Sequence, residues 1–207
     1  MGSISIIGTG NMARTIGALA VAGGNTVEVI GRDQSKAAEL AKTLGGGTTV
    51  GGFGAVPAGD IVILAVLFAS AVPAVSEFGD ALAGKTIVDI TNPFNDSGTG
   101  LAVPADTSIA QMVAEAAPAS AHVFKAFNTL FQVVLAKGQP FDVFVAGDDE
   151  GAKADLAEFI KTLKLRPLDV GGLTMAHYLE GMGLLAVGLA QHGVGSIEFA
   201  LGVTVLS

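Results

Sequence analysis

The chain has no cysteine and few charged residues, and both shortages exclude whole classes of function. Without cysteine, disulfide bonds, thiolate catalysis and zinc–sulfur sites are all excluded. Only 14% of the residues are charged, and the acidic residues outnumber the basic ones by 19 to 11, which gives a net charge of −8. This acidic balance argues against binding to nucleic acid or to an anionic membrane surface.

Long hydrophobic runs are also missing. The apolar stretches 61–76 and 181–197 contain no charged residue, but both are shorter than the ~20 residues that span a bilayer. A secretory signal would place basic residues before an apolar core, whereas here a predicted strand begins at once. We therefore expect a cytoplasmic protein.

Glycine and apolar residues are abundant. The 207 residues include 29 glycines, and half of the chain is hydrophobic. Such a composition is typical of a parallel sheet that helices cover on both faces. The length suits one large α/β domain with a small appendage. We expect a Rossmann-type, doubly wound, mostly parallel sheet over residues 1–170, followed by a helical segment over 171–207.

A strand, a glycine turn and a helix at the start of the chain carry the functional prediction. The apolar run Ser3–Ile7 leads directly into the sequence GTGNMA at 8–13, and a helix is predicted next. In a G-x-G-x-x-G/A fingerprint, Gly8 suits the tight turn and Gly10 leaves room for a pyrophosphate, while Ala13 lets the helix pack closely. The helix N-terminus then attracts the phosphates. This context predicts dinucleotide binding.

The turn after the second predicted strand, residues 25–30, favours NADP over NAD. NAD enzymes usually place an acid here for the ribose 2′-hydroxyl, but this chain has Gly31 and Arg32, with Lys36 one helical turn later. A guanidinium group can stack on adenine and bind a 2′-phosphate with two hydrogen bonds. Asp33 is the competing acid, and we expect it to cap the following helix instead.

Two further predicted strands, 60–66 and 85–90, end at the same edge of the sheet. Position alone places Ala65, Val66 and Leu67 against the cofactor. Asn92 lies in a polar turn after the second of these strands, where it could either orient a carboxamide or form a plain turn before proline. Both interpretations of Asn92 remain open at this point.

The last predicted helix, residues 173–191, contains three glycines: Gly181, Gly183 and Gly188. Glycines inside a helix let a flat ring or another helix approach closely. His177 and Glu180 share one face of this helix, but the chain offers no further ligands with metal-site spacing. Asp148 and Asp149 are expected to form a solvated helix start. No metal site is predicted.

The chain as a whole resembles the coenzyme F420-dependent NADP oxidoreductases and their short bacterial dinucleotide-binding relatives. The segments that carry the resemblance are GTGNM at 8–12, Gly31-Arg32, Thr91-Asn92-Pro93, KAFNT at 125–129, AGDD at 146–149 and LRPLD at 165–169. It implies a homodimer, an NADP(H) site, and an acceptor site for F420 or FMN over the nicotinamide, lined by the carboxyl-terminal helix. The predicted cofactor-binding residues are Gly8, Thr9, Gly10, Asn11, Met12, Gly31, Arg32, Lys36, Ala65, Val66, Leu67, Asn92, Ala126 and Asn128.

Two positions depart from the family pattern. The family often has a serine where this chain has Gly31, and its F420-using members have a histidine where this chain has Asn128. The amino-terminal motif is also similar to that of pyrroline-carboxylate reductases, but the carboxyl-terminal half is not.

The pattern predicts hydride transfer between two stacked rings, which needs no catalytic acid or nucleophile. We therefore predict no catalytic side chain. An NADPH-dependent reductase of a small ketone or imine is the alternative, and it would need a proton donor, for which Lys125 is the first candidate. A non-catalytic NADPH sensor is the third hypothesis. The net charge of −8 provides no general attraction for the acidic tail of F420, so a flavin stays open as the acceptor.

Overall fold

The computed structural model describes residues 2–206 and is built on one eight-stranded sheet. The strands are β1 (Ser3–Ile7), β2 (Thr26–Ile30), β3 (Thr49–Gly51), β4 (Ile61–Leu64), β5 (Thr86–Asp89), β6 (His122–Lys125), β7 (Asp142–Gly147) and β8 (Arg166–Gly171). Their order across the sheet is β3-β2-β1-β4-β5-β6-β7-β8. The strands β1 to β6 are parallel, and only the β6–β7 pairing is antiparallel. The predicted doubly wound, mostly parallel sheet is confirmed.

Seven α-helices cover the two faces of this sheet. They are α1 (Asn11–Ala22), α2 (Gln34–Leu44), α3 (Phe68–Phe78), α4 (Ile109–Ala116), α5 (Gln132–Leu135), α6 (Glu150–Thr162) and α7 (Ala176–Gly188). Side chains alternate between the faces along each strand. In β4, Ile61 and Ile63 join the core beneath α1, α2 and α6, whereas Val62 and Leu64 join the core beneath α3 and α4.

Local chemistry sets several of the helix boundaries. The Asp33 carboxylate accepts hydrogen bonds from the backbone N–H groups of Ser35 and Lys36 at 3.0 and 3.1 Å, which confirms its predicted capping role. The helix α3 begins at Phe68 and contains Pro73 in its interior. The short elements β3 and α5 were not predicted.

The helix α7 is anchored to the sheet by buried polar contacts. The Glu180 carboxylate lies 2.9 Å from the Lys125 ammonium at the end of β6, and the backbone carbonyl of Leu179 accepts a hydrogen bond from Asn128 at 2.8 Å. By length and composition, the helical stretch Leu173–Gly193 would also be able to cross a membrane, a test that core helices of soluble proteins pass as well. In this structure, the buried contacts hold its inner face against the domain.

Candidate functional site

A cleft of about 690 Å³ opens where β1, β2, β4 and β5 end. Parallel strands present their carboxyl ends at one edge, and the chain order reverses between β1 and β4, so a crevice forms there. Twelve of the predicted residues line this cleft: Gly8, Thr9, Gly10, Asn11, Met12, Gly31, Arg32, Lys36, Ala65, Val66, Leu67 and Asn92. The structure thus brings together residues that lie up to 84 positions apart.

The two glycines of the fingerprint meet different requirements. Gly8 has φ +135°, and a Cβ atom there would overlap with the backbone carbonyl of Ala65, so only glycine fits between β1 and β4. Gly10 precedes α1 with φ −82°, and within the described chain a Cβ atom there would meet nothing within 4 Å. The space beside Gly10 faces the uncapped helix start, where free N–H groups favour an anion. This arrangement fits a pyrophosphate.

Two cations lie at the β2 end of the cleft. The Arg32 guanidinium carbon is 5.1 Å from the centre of the Phe53 ring, and a guanidinium nitrogen is 3.6 Å from the Glu77 carboxylate. The Lys36 ammonium is 3.9 Å from the Asp33 carboxylate. Both cationic side chains remain largely exposed, at 61% and 70%. They can therefore turn toward a ligand phosphate, which fits the 2′-phosphate of NADP(H).

A second cavity of about 210 Å³ continues from this cleft, and the two share Met12, Ile90 and Asn92. Its remaining lining comes from the segment after β6, from α5 and from α7: Phe94, Phe127, Asn128, Thr129, Leu130, Phe131, Gln132, Gly183, Ala186 and Val187. Over residues 2–206, this lining contains no aspartate, glutamate, histidine, lysine or arginine. The second cavity is therefore a neutral chamber with amide and hydroxyl groups as its only polar side chains.

Two asparagines interlock in the wall of the second cavity. The Asn92 side-chain amide donates to the Asn128 backbone carbonyl at 2.8 Å, and the Asn128 side-chain amide donates to the Asn92 Oδ1 atom at 2.9 Å. The helix α7 can pack close to Asn92 because residue 183 is glycine. A Cβ atom at this position would lie 2.7 Å from the Asn92 Oδ1 atom. Of the three glycines in α7, Gly183 thus allows a close approach, and the approaching group is an amide of the same chain.

Lys125, the candidate proton donor of the alternative hypothesis, does not reach either cavity. Its side chain is fully buried, and its ammonium lies 2.8 Å from the Asp89 carboxylate and 2.9 Å from the Glu180 carboxylate. It also donates to the backbone carbonyl of Thr91. Burial raises the pKa of Glu180 above its ordinary value, and the charge of Lys125 opposes this shift in part. Lys125 therefore joins β5, β6 and α7 beneath the cavity wall.

Glu180 was noticed in the sequence only as a neighbour of His177. A glutamate within an apolar helix and a lysine within an apolar strand are the signal that could have paired it with Lys125. His177 instead places its Nδ1 atom 2.8 Å from the backbone carbonyl of Thr107. Asp149 caps α6 through the Ala152 N–H at 2.8 Å, as expected of a solvated helix start.

Two remaining predictions concern metals and Ala126. Among the described residues, no group of three or more histidine or acidic side chains could hold a metal ion.

Ala126 is fully buried in the hydrophobic core and lines neither cavity, unlike the other predicted site residues. Its backbone N–H is bonded to the Asp89 carbonyl at 3.2 Å, which holds it within the sheet.

The carboxyl-terminal tail returns to the second cavity, which sequence reasoning missed. Phe199 packs edge-on against Phe131, a lining residue, with ring centres 5.7 Å apart. Farther along, Asp142 accepts hydrogen bonds from the Arg166 guanidinium and from the Val203 backbone N–H, the latter at 2.7 Å. The hydrogen bond from Arg166 lowers the pKa of the Asp142 carboxyl group. This pair fixes the tail beside β7.

A parallel sheet with a glycine turn, an open helix N-terminus and a crevice at its switch point defines a Rossmann-type, dinucleotide-binding protein. Residues 3–93 match the family model described as NADP oxidoreductase coenzyme F420-dependent. The resemblance inferred from the sequence is thereby confirmed, and the match covers the strands β1, β2, β4 and β5 that surround the main cleft.

Individual relatives extend this comparison. The F420-dependent NADP reductase of Methanocaldococcus jannaschii is 30% identical over 139 residues, which are 63% of this chain and 62% of the relative. The metalloreductase STEAP3 of Rattus norvegicus is 30% identical over 87% of this chain and 36% of its own length. A crystal structure from Arthrobacter sp. FB24, of a protein provisionally named an F420-dependent NADP-reductase, has a TM-score of 0.86 at 25% identity, covering 99% of this chain and 100% of that one.

The chain spans about three fifths of the length of the Methanocaldococcus jannaschii reductase and about one third of the length of STEAP3. The class predicted from the sequence, an NADP-dependent oxidoreductase, is the class that the family model and the methanogen relative name.

Proposed function

We propose that this chain is an NADP-dependent oxidoreductase that transfers hydride between NADP(H) and a deazaflavin (F420) or flavin-type acceptor. The observation that carries the proposal is the neutral second cavity, which continues from the cofactor cleft at Met12, Ile90 and Asn92. NADP(H), when bound, supplies or takes the hydride. The residues that line the cleft and the second cavity would hold the two rings in contact and would exclude water, which is what ring-to-ring transfer requires of the protein.

Reduction of a ketone or imine requires a proton donor beside the substrate. Lys125 was the candidate for that role, but it lies outside both cavities and is bonded to two carboxylates and a carbonyl group. The described residues that line the second cavity include no ionisable side chain. These observations favour the flavin-type acceptor over the ketone or imine.

The direct test is anaerobic oxidation of NADPH, followed at 340 nm, with F420, FMN, FAD and a panel of ketones and imines. We expect turnover with F420 or a flavin and none with the ketones and imines. Turnover confined to a ketone or imine would contradict the proposal. Tight binding of NADPH without turnover by any acceptor would support the sensor hypothesis instead.

A matched pair of variants tests whether the second cavity is the acceptor site. Ala186 lines this cavity and is 3% exposed, whereas its neighbour Leu185 faces outward and is 59% exposed. Ala186→Phe should fill the cavity and abolish turnover while NADPH still binds in the main cleft. Leu185→Phe adds a similar ring on the outer face and should leave turnover unchanged. Equal activity of the two variants would place the acceptor elsewhere.

We also propose that the chain forms a homodimer. The outer face of α7 supports this, because Tyr178 and Leu185 are 66% and 59% exposed there. A Cβ atom at Gly181 or Gly188 would meet nothing within 4 Å in the described chain, so another helix could approach closely. Light scattering on the wild type and on Leu185→Arg tests the proposal, since we expect a dimer and a monomer respectively. A cytoplasmic location stays a prediction that cell fractionation would check.

A further inference from the structure

We infer that the Asn128 side-chain oxygen accepts a hydrogen bond from an amide-type N–H group on the ring that fills the second cavity. This inference rests on the proposed function and adds a determinant of specificity to it. Asn128 is one of the predicted cofactor-binding residues, and it lines the second cavity.

The first observation fixes which way the Asn128 amide points. Its Nδ2 atom donates to two acceptors, the Asn92 Oδ1 atom at 2.9 Å and the Leu179 backbone carbonyl at 2.8 Å. In the opposite orientation, the Oδ1 atom would face two oxygen atoms and both hydrogen bonds would be lost. The oxygen is therefore on the side that faces neither Asn92 nor Leu179.

The second observation is that this oxygen has no donor. Asn128 is 6% exposed, and in the part of the chain that the structure describes its Oδ1 atom is buried without a hydrogen-bond partner. The third amide in the lining, that of Gln132, donates to the Thr15 hydroxyl at 2.8 Å. A buried amide oxygen without a donor is unfavourable, and a ligand N–H in the adjoining cavity would satisfy it.

Planar amide groups carry the required donor. One source is the primary carboxamide of the nicotinamide, and the other is the cyclic imide N–H of a flavin or deazaflavin ring. Asn92 lines both cavities, so a ring bound at their junction lies beside the asparagine pair in either case. A ketone or ester without an N–H group would leave the oxygen unpaired, which disfavours its binding.

Equilibrium binding to the intact protein tests the inference, with two pairs of ligands that differ only at the N–H group. The first pair is NADPH and its reduced 3-acetylpyridine analogue, in which a methyl group replaces the carboxamide NH₂. The second pair is lumiflavin and its N3-methyl derivative. For one pair, we expect the wild type to bind the unmodified ligand roughly tenfold to a hundredfold more tightly. In Asn128→Ala, that preference should fall to about twofold or less, because the acceptor is gone.

Gln132→Ala is the matched control, since it removes another amide of the same cavity wall and should keep the preference. A preference confined to the first pair identifies the nicotinamide carboxamide as the donor, and one confined to the second pair identifies the imide. Equal affinity within both pairs for the wild type overturns the inference, whether or not Asn128→Ala folds. If the wild type bound neither NADPH nor lumiflavin, the result would contradict the proposed oxidoreductase function itself. That outcome differs from equal affinity within both pairs, which would contradict only the role of Asn128.

Discussion

Replacing Arg32 should convert a protein that prefers NADPH into one that hardly discriminates between NADPH and NADH. Arg32 lies at the end of the cleft that fits the adenosine portion of the cofactor, where its guanidinium stacks on Phe53. The 2′-phosphate is the only difference between the two cofactors. The change in the ratio of their dissociation constants therefore measures the contribution of Arg32 to phosphate binding and cancels general damage to the site.

The magnitude follows from the exposure of Arg32 and from its present partner. A hydrogen bond to a charged group contributes about 1.5–3 kcal/mol when shielded, but an exposed ion pair contributes only about 0.2–1 kcal/mol. The Arg32 side chain is 61% exposed and gives up a pairing with Glu77 at 3.6 Å when it turns to a phosphate. We expect a loss of about 1–2 kcal/mol, which is roughly a five- to thirtyfold loss of NADPH affinity.

The assay is a fluorescence titration of wild type, Arg32→Ala and Arg14→Ala with both cofactors. Arg14→Ala is the charge-matched control, since Arg14 is exposed on α1 outside the lining of the cleft. Glu77→Gln should act in the opposite direction and strengthen NADPH binding up to about twofold, because it removes the competing carboxylate. An unchanged NADPH-to-NADH ratio in Arg32→Ala would refute the assignment of the 2′-phosphate to this residue.

Three further predictions address the fold and its coupling to the site. Gly8→Ala should lower the free energy of unfolding by roughly 4 kcal/mol or more, because its Cβ atom overlaps with Ala65. Gly10→Ala should melt like the wild type but lose NADPH binding. Equal melting temperatures of the two variants would contradict this prediction. Because burial raises the pKa of Glu180 from its ordinary value of 4.5, the folded state holds that proton more tightly, so the free energy of unfolding falls as pH rises from 4.5 through the raised pKa. Glu180→Gln should flatten this decline in urea titrations between pH 4.5 and 8, and an unaltered slope would assign it to other groups. Asp142→Asn should release the tail around residue 203, which would appear as faster amide exchange there and not in β7.

The fold could be predicted because its signals are local and periodic. Each signal is contained in a few consecutive residues, as in the apolar runs of β1, β4 and β5 and in the cap at Asp33. The two elements that escaped prediction are the shortest of their kinds. The strand β3 has three residues, largely exposed and followed by a second glycine, and α5 has four. Neither element is long enough for a hydrophobic pattern to repeat along it.

The cofactor half of the site could be predicted for the same reason, since each of its parts follows a strand directly. The second cavity could not, because its walls meet only after folding. Asn128 contacts the backbone of Leu179, 51 residues away, and Phe131 packs on Phe199. No spacing rule within the sequence connects such residues. Ala126 was predicted as a site residue because its segment is typical of the family, but it is buried in the core.

The charges that hold α7 lie behind the cavity rather than in it, and this placement explains how a neutral chamber can be closed by a firmly held helix. Lys125 pairs with two buried carboxylates, those of Asp89 and Glu180, from within the core, while its bond to the Thr91 carbonyl fixes the turn that carries Asn92. Removing one member of a buried ionic cluster commonly costs about 3–5 kcal/mol because the others remain unpaired. The cluster therefore constrains the wall of the second cavity without placing a proton donor inside it, and a site built in this way suits the transfer of hydride between rings.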